Sequence, residues 1–318
     1  MNSVIIDIQC HLDIDNLYDT GGLSAKICLA MIQNDKIILT SKGEGFNFKS
    51  NGLYDLLDSV CEVIDFDPSK ITLQTWNLLE KHNRYDVQCQ SQIFDTGWFV
   101  EYQPVSAPNQ DKILLMMGRS NEARLKAHEL VSSINWRDKL LYSFHMDMSV
   151  TPWGAGMCNR ISAGSSYDFF KRTTPCSDIS VPLETPIIPP HNIHMLHPVY
   201  DRIALEIVIE TVTDEGFFVT EKTLRPIWYG RPFLVVGPLG YEDNLRKLGF
   251  NLDFGFPEYL ENFGHLNKVG DIFKFLSTKW EYSEDWFNSL LPILEHNQET
   301  LSNIAKKNGK IDLNLFQV

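Results

Sequence analysis

The sequence has no close pair of cysteines. Its six (Cys10, Cys28, Cys61, Cys89, Cys158 and Cys176) are scattered, and none stands at the short spacing of a zinc site or a dithiol redox motif. That pattern predicts reduced thiols in a cytoplasmic protein. An apolar run long enough to cross a bilayer is missing too, so no membrane span is expected. The first residues, MNSVIIDIQCHLDID, lack the basic region of a signal peptide and soon turn acidic. Positive charge is in short supply: 28 Lys and Arg against 41 Asp and Glu leave a net charge of −13. This argues against a broad nucleic-acid face, though a local basic groove stays open. Internal repeats and low-complexity tracts are absent as well.

What is present reads as an α/β protein. With 43% hydrophobic residues over 318 positions the chain can bury a sizeable core, and its length suits two domains. SVIIDIQ (3–9) and KIILT (36–40) read as strands around a helix, LSAKICLAMI (23–32). GLYDLLDSVCEVI (52–64) has helical spacing, KITLQTW (70–76) is strand-like, and KILLMM (112–117) is a buried strand. A helix over 120–134, with Ser120 as its cap, leads to a strand at LLYSF (140–144). From 150 to 200 the chain turns rich in Gly, Ser and Pro, as loops and crossovers are. The expected domain junction lies there, giving domains 1–150 and 151–318 with a cleft between them. Alternation then resumes with a strand at 203–209, a helix at about 221–230 and a strand at 232–236. A helix at 241–248, a short strand near 250–254 and a helical tail over 270–307 follow.

The richest stretch is IALEIVIETVTDEGFFVTEKTLRPIWYGRPFLVVGPLG (203–240), a buried strand, an acidic turn, a helix start and a second buried strand. Thr220 can cap a helix beginning at Glu221, and Gly230 sits where a C-terminal glycine belongs. Free N–H groups at such a start, with Lys222 nearby, favour a phosphate or diphosphate. Glu210 follows the strand and can accept hydrogen bonds from ribose or sugar hydroxyls, as can Glu221. Pro226 should disturb the helix it interrupts. The alternative reading is structural: Glu at a helix start compensates the macrodipole, and an isolated Glu-Lys pair is commonly a solvated face.

The segment IVIETVTDEGFFVTEKTLRPIWYGRPFLVVGP resembles the donor-binding region of the α1,3-fucosyltransferases and related GT-B glycosyltransferases. In that family a strand ends in Phe-Glu-Asn, and a spacer leads to Tyr-Val-Thr-Glu-Lys, a helix and an apolar strand ending in Gly. Glu210 falls on the Glu of Phe-Glu-Asn, and Val219, Thr220, Glu221 and Lys222 fall on Val-Thr-Glu-Lys. Ile209, Thr211 and Phe218 depart from the Phe, Asn and Tyr of the pattern, and Phe218 removes a hydroxyl. The resemblance implies a GT-B-like fold of two Rossmann-like domains facing a cleft, with a UDP- or GDP-linked sugar as donor. It implies that Glu221 holds the donor ribose, that Lys222 meets the diphosphate, and that transfer inverts the anomeric carbon. MGRSNEARLKAHEL (117–130) is similar to an element of viral and bacterial relatives, which makes Arg119 and Arg124 candidate diphosphate ligands. Arg160, in GMCNRISAGSS, is a third candidate. TGGL (20–23) is similar to the glycine-rich turn of some GT-B enzymes, with a plain turn as its alternative.

Glycosyl transfer also needs a base near the acceptor hydroxyl. The candidates are Asp13, Asp19, His145 and Asp147, with SFHMDM (143–148) favoured because it follows a strand. Positive side chains and helix N-termini can stabilise the leaving diphosphate, so no metal or other cofactor is required. The rival is a metal-dependent GT-A enzyme using DID (13–15) or DFD (65–67) as a paired-Asp motif. His191, His194 and His197 lie close together in an extended, proline-rich context that lacks a further zinc ligand. The expected acceptor is a glycan. The alternatives are a hydroxymethylated base in DNA, as for a phage-type enzyme acting in the host cytoplasm, and a non-catalytic nucleotide- or sugar-binding module.

Overall fold

The computed structural model describes residues 2–8, 22–41, 47–89, 99–117, 121–131, 133–144, 197–211, 213, 215–260, 265–307 and 315. Among them the protein is α/β, with two four-stranded sheets in which every pairing is parallel. The chain divides into two compact units, Met1–Asp95 with Gly216–Phe218 and Gly309–Val318, and Thr96–Glu215 with Val219–Asn308.

The first unit contains β1 (Ser3–Asp7), α1 (Leu23–Gln33), β2 (Lys36–Ser41), α2 (Leu53–Ile64), β3 (Ile71–Thr75) and β4 (Asp86–Cys89). The strands stand in sequence order, so each crossover moves the same way across the sheet. Leu23, Ile27 and Met31 of α1 and Leu53, Leu57 and Val60 of α2 repeat at helical spacing. They pack with Ile37, Leu39, Ile71 and Leu73 of the strands in one core. Residues 216–218 join this unit: the Phe217 amide donates to Asn77 Oδ1 at 3.0 Å, and the Leu78 amide donates to the Phe217 carbonyl at 3.1 Å.

The second unit holds β5 (Lys112–Met117), α3 (Glu122–Val131), β6 (Leu140–Phe144), α4 (His197–Tyr200) and β7 (Ile203–Ile209). It continues with α5 (Glu221–Trp228), β8 (Phe233–Val236), α6 (Tyr241–Lys247), α7 (His265–Thr278) and α8 (Glu284–Lys306). Its sheet order is β6-β5-β7-β8. Alternation along β7 separates the two faces. Leu205, Ile207 and Ile209 join Ala123 and Ala127 of α3 and Ile272 and Phe273 of α7 in one core. Glu206 points the other way, to Arg225 of α5. The chain steps from β5 to β6 in one direction and from β7 to β8 in the other, so the winding reverses between β5 and β7.

Several expectations change. The units divide after Asp95, not near 150, because β5 and β6 pair into the sheet of β7 and β8. β4 is an extra strand whose DVQC sequence carries one aliphatic residue and no apolar run. Residues 250–254 form no strand: Asn297 of α8 donates to the Asn251 carbonyl and accepts from its amide, both at 2.7 Å, in place of a sheet neighbour. The helical tail is two helices, with Ser283 capping the second by accepting from the Trp286 amide. α5 stops at Trp228, and Gly230 follows it at φ +60°, the left-handed conformation that glycine supplies.

Candidate functional site

A parallel sheet whose winding reverses leaves a crevice at the carboxyl ends of the two strands flanking the reversal, because the helices that follow them leave to opposite faces. Here those strands are β5 and β7, and the next helices are α3 and α5. Asn121 begins this site. It caps α3 by accepting from the Arg124 amide at 2.8 Å, and its Nδ2 donates to the Glu210 and Thr211 carbonyls, both at 3.1 Å. Asn121, not Ser120, is therefore the cap, and Ser120 lies outside the described residues.

On the opposite face Thr220 caps α5, accepting from the Lys222 amide at 3.2 Å while its hydroxyl donates to Glu210 Oε2 at 2.6 Å. The Lys222 ammonium lies 2.6 Å from Glu221 Oε1 and 3.3 Å from Thr220 Oγ1. The two charged side chains stay partly accessible, Lys222 at 17% and Glu221 at 28%. Burial works to raise the Glu221 carboxyl, but the adjacent Lys222 charge and its hydrogen bond outweigh this and leave it below the ordinary glutamate value. The site thus presents an ammonium, a carboxylate and a helix start at one sheet end, groups that suit a diphosphate attached to a hydroxylated ring.

Two expected ligands occupy other roles. Glu210 is 1% exposed, and its carboxylate accepts from Thr220, Thr223 and Tyr241 hydroxyls instead of facing a sugar. Arg124 is 2% exposed, and its Nε and Nη2 donate to the Ile209 carbonyl at 3.3 and 2.8 Å, so its guanidinium braces the end of β7. Phe218 is buried and belongs to the first unit. Arg119, Arg160, Asp13, Asp19, His145 and Asp147 lie outside the described residues, as do His191, His194 and the DID motif.

Residues of the DFD motif serve local structure. Asp65 ends α2 at φ +58°, and Asp67 Oδ1 accepts from the Ser69 amide and hydroxyl at 3.0 and 2.8 Å. Gly22 of the TGGL motif is the N-cap of α1. Cys28, Cys61 and Cys89 are free thiols. Burial, reinforced by Glu80, pushes Cys89 up to about 12, which keeps it protonated and unreactive.

Sequence reasoning missed Asn121, Thr223 and Tyr241. The spacing of Asn121 to Arg124 is a capping signal, whereas nothing local marks Tyr241 as a partner of Glu210. Missed too was the buried group around Glu206 of β7, where Arg225 donates to the Glu206 carboxylate and, at 2.7 Å, to the Tyr200 hydroxyl. The single Glu in IALEIVI was its signal, because a charge in a buried strand needs a partner.

No family model, curated protein or solved structure matches this chain. Among the described residues no helix is long and apolar enough to cross a membrane.

Proposed function

We propose that this protein is a glycosyltransferase that takes a sugar from a nucleotide-sugar donor bound at the carboxyl end of the β6-β5-β7-β8 sheet. The observation that carries this reading is the partly accessible Lys222–Glu221 pair on the first turn of α5, beside the reversal between β5 and β7. Among the described strands the first sheet runs in sequence order without such a reversal, which favours the second unit for this reading. The resemblance of 207–238 to the fucosyltransferase donor region supports the choice of a nucleotide sugar over other phosphates, and a GT-B-like enzyme over a simple binding module.

In the proposed reaction an acceptor hydroxyl oxygen bonds to the anomeric carbon as the bond from that carbon to the diphosphate oxygen breaks. Lys222 and the α5 amides stabilise the negative charge that develops on the departing nucleoside diphosphate. Glu221 accepts hydrogen bonds from the ribose. A carboxylate or histidine, with Asp147, His145 and Asp19 as candidates, takes the acceptor proton. The proposed acceptor is a glycan, since a net charge of −13 disfavours a polyanionic one.

The test is a panel of UDP- and GDP-sugars assayed for release of the nucleoside diphosphate, first alone and then with glycans or hydroxymethylated DNA. Turnover of one donor, accelerated by a glycan, is the expected result. Acceleration by the DNA alone would move the enzyme to the DNA-modifying class, and no binding or turnover across the panel would defeat the transferase reading.

A further inference from the structure

The Glu210 carboxylate is enclosed by three hydroxyls from two helices. Oε2 accepts from Thr220 at 2.6 Å, and Oε1 accepts from Thr223 at 2.6 Å and Tyr241 at 2.9 Å. Thr220 and Thr223 bracket the first turn of α5, while Tyr241 opens α6. The Glu210 main chain is held as well: its amide donates to the Val236 carbonyl of β8 at 3.0 Å, and its carbonyl accepts from Asn121 at the cap of α3. One residue therefore joins the starts of three helices to two strands.

We infer that Glu210 is a positioning residue that sets the direction of the hydrogen bonds at the start of α5, and through Thr220 the place of Lys222. A carboxylate only accepts, so the Thr220 proton is committed to it. The Thr220 oxygen is left to accept, and it does so from the Lys222 amide at 3.2 Å and the Lys222 ammonium at 3.3 Å. An amide at position 210 would keep the shape but place an NH2 group against one side of the enclosure. A facing hydroxyl must then reverse and accept, and reversal of Thr220 turns its proton toward Lys222. This role replaces that of a sugar ligand, for which the carboxylate is too buried and too fully engaged. The part of the inference that concerns ligand affinity rests on the donor-site reading above; the part that concerns α5 does not.

The experiment compares the full chain with Glu210→Gln and Tyr241→Phe, the latter removing one hydroxyl without touching the carboxylate. Amide hydrogen exchange is read in the unliganded proteins at Lys222 and Leu224, with the β5–β7 ladder as the internal control. Calorimetric affinities for UDP, GDP and inorganic pyrophosphate are measured in parallel. Exchange at α5 should rise about tenfold or more in Glu210→Gln, the scale of one hydrogen bond to a charged group, with a smaller rise in Tyr241→Phe and an unchanged ladder. Affinity for the nucleotide and for pyrophosphate should fall together, because both meet Lys222. Unchanged exchange with a loss confined to the ribonucleotides would make Glu210 a ribose ligand and overturn the inference. Wild-type exchange at α5 in both variants would overturn it too. Should Glu210→Gln not fold, Tyr241→Phe alone decides by the same exchange readout. If the wild-type chain binds no nucleotide, the donor-site reading fails, while the exchange data still decide the role of Glu210.

Discussion

Lys222 and Glu221, adjacent in sequence, form an ion pair of 2.6 Å on the first turn of α5. The pair holds the Glu221 carboxyl below its ordinary value of 4.5 against the opposing effect of burial. A carboxylate lowered in the folded state contributes stability above its unfolded pKa and loses it as pH falls through the folded one. Stability should therefore drop below about pH 4.5 in part through this pair. Melting temperatures across the acid range should fall less steeply in Glu221→Gln than in the wild type; equal slopes would show that the pair adds nothing.

Arg124 should behave as a brace. Arg124→Leu leaves the Ile209 carbonyl without two of its donors in a buried position, at a cost of about 1–3 kcal/mol. The denaturation midpoint is expected to fall with its slope unchanged, while nucleotide affinity per folded molecule stays within a few-fold. A loss of binding in a fully folded variant would restore Arg124 as a ligand.

The buried Tyr200–Glu206–Arg225 group should be costly to break and tolerant of wholesale replacement. Arg225→Met strands the Glu206 carboxylate, which is fully buried, and should cost about 3–5 kcal/mol. A variant with apolar residues of similar volume at all three positions should recover most of that loss. Urea denaturation of the two proteins makes the comparison, and equal loss in both would deny the coupling.

Gly230 ends α5 at φ +60°, and a Cβ there would lie 2.6 Å from Val105 Cγ2. Gly230→Ala is expected to cost at least about 1–2 kcal/mol from the left-handed backbone alone. The paired variant Gly230→Ala with Val105→Ala should regain only the steric part, as thermal unfolding would report.

Much of this fold is readable in the sequence because β7 and β8 are buried along their whole length and β5 along most of it. KILLMM and IALEIVI appear as near-continuous apolar runs, and helical spacing marks α1, α2 and α8. The Thr220 cap is also local, and sequence places it correctly. The parts that were not legible depend on partners far along the chain. Arg124 looks like a phosphate ligand until Ile209, 85 residues away, is seen to accept its hydrogen bonds. Glu210 looks like a sugar ligand until Tyr241 closes over it. Residues 250–254 have strand composition, but Asn297 satisfies the backbone of Asn251. The division after Asp95 is hidden for a similar reason: strand order decides it, and composition near 150 does not report strand order.

The most direct measurement is titration of UDP and GDP into the wild-type chain and Lys222→Ala, read by thermal unfolding. Binding to the folded state raises the melting temperature by mass action, with about 2.7 kcal/mol of added stability at a hundredfold excess over the dissociation constant. A shift with one of the two nucleotides is expected in the wild type and none in Lys222→Ala. No shift with either nucleotide, or the same shift in both proteins, would contradict it.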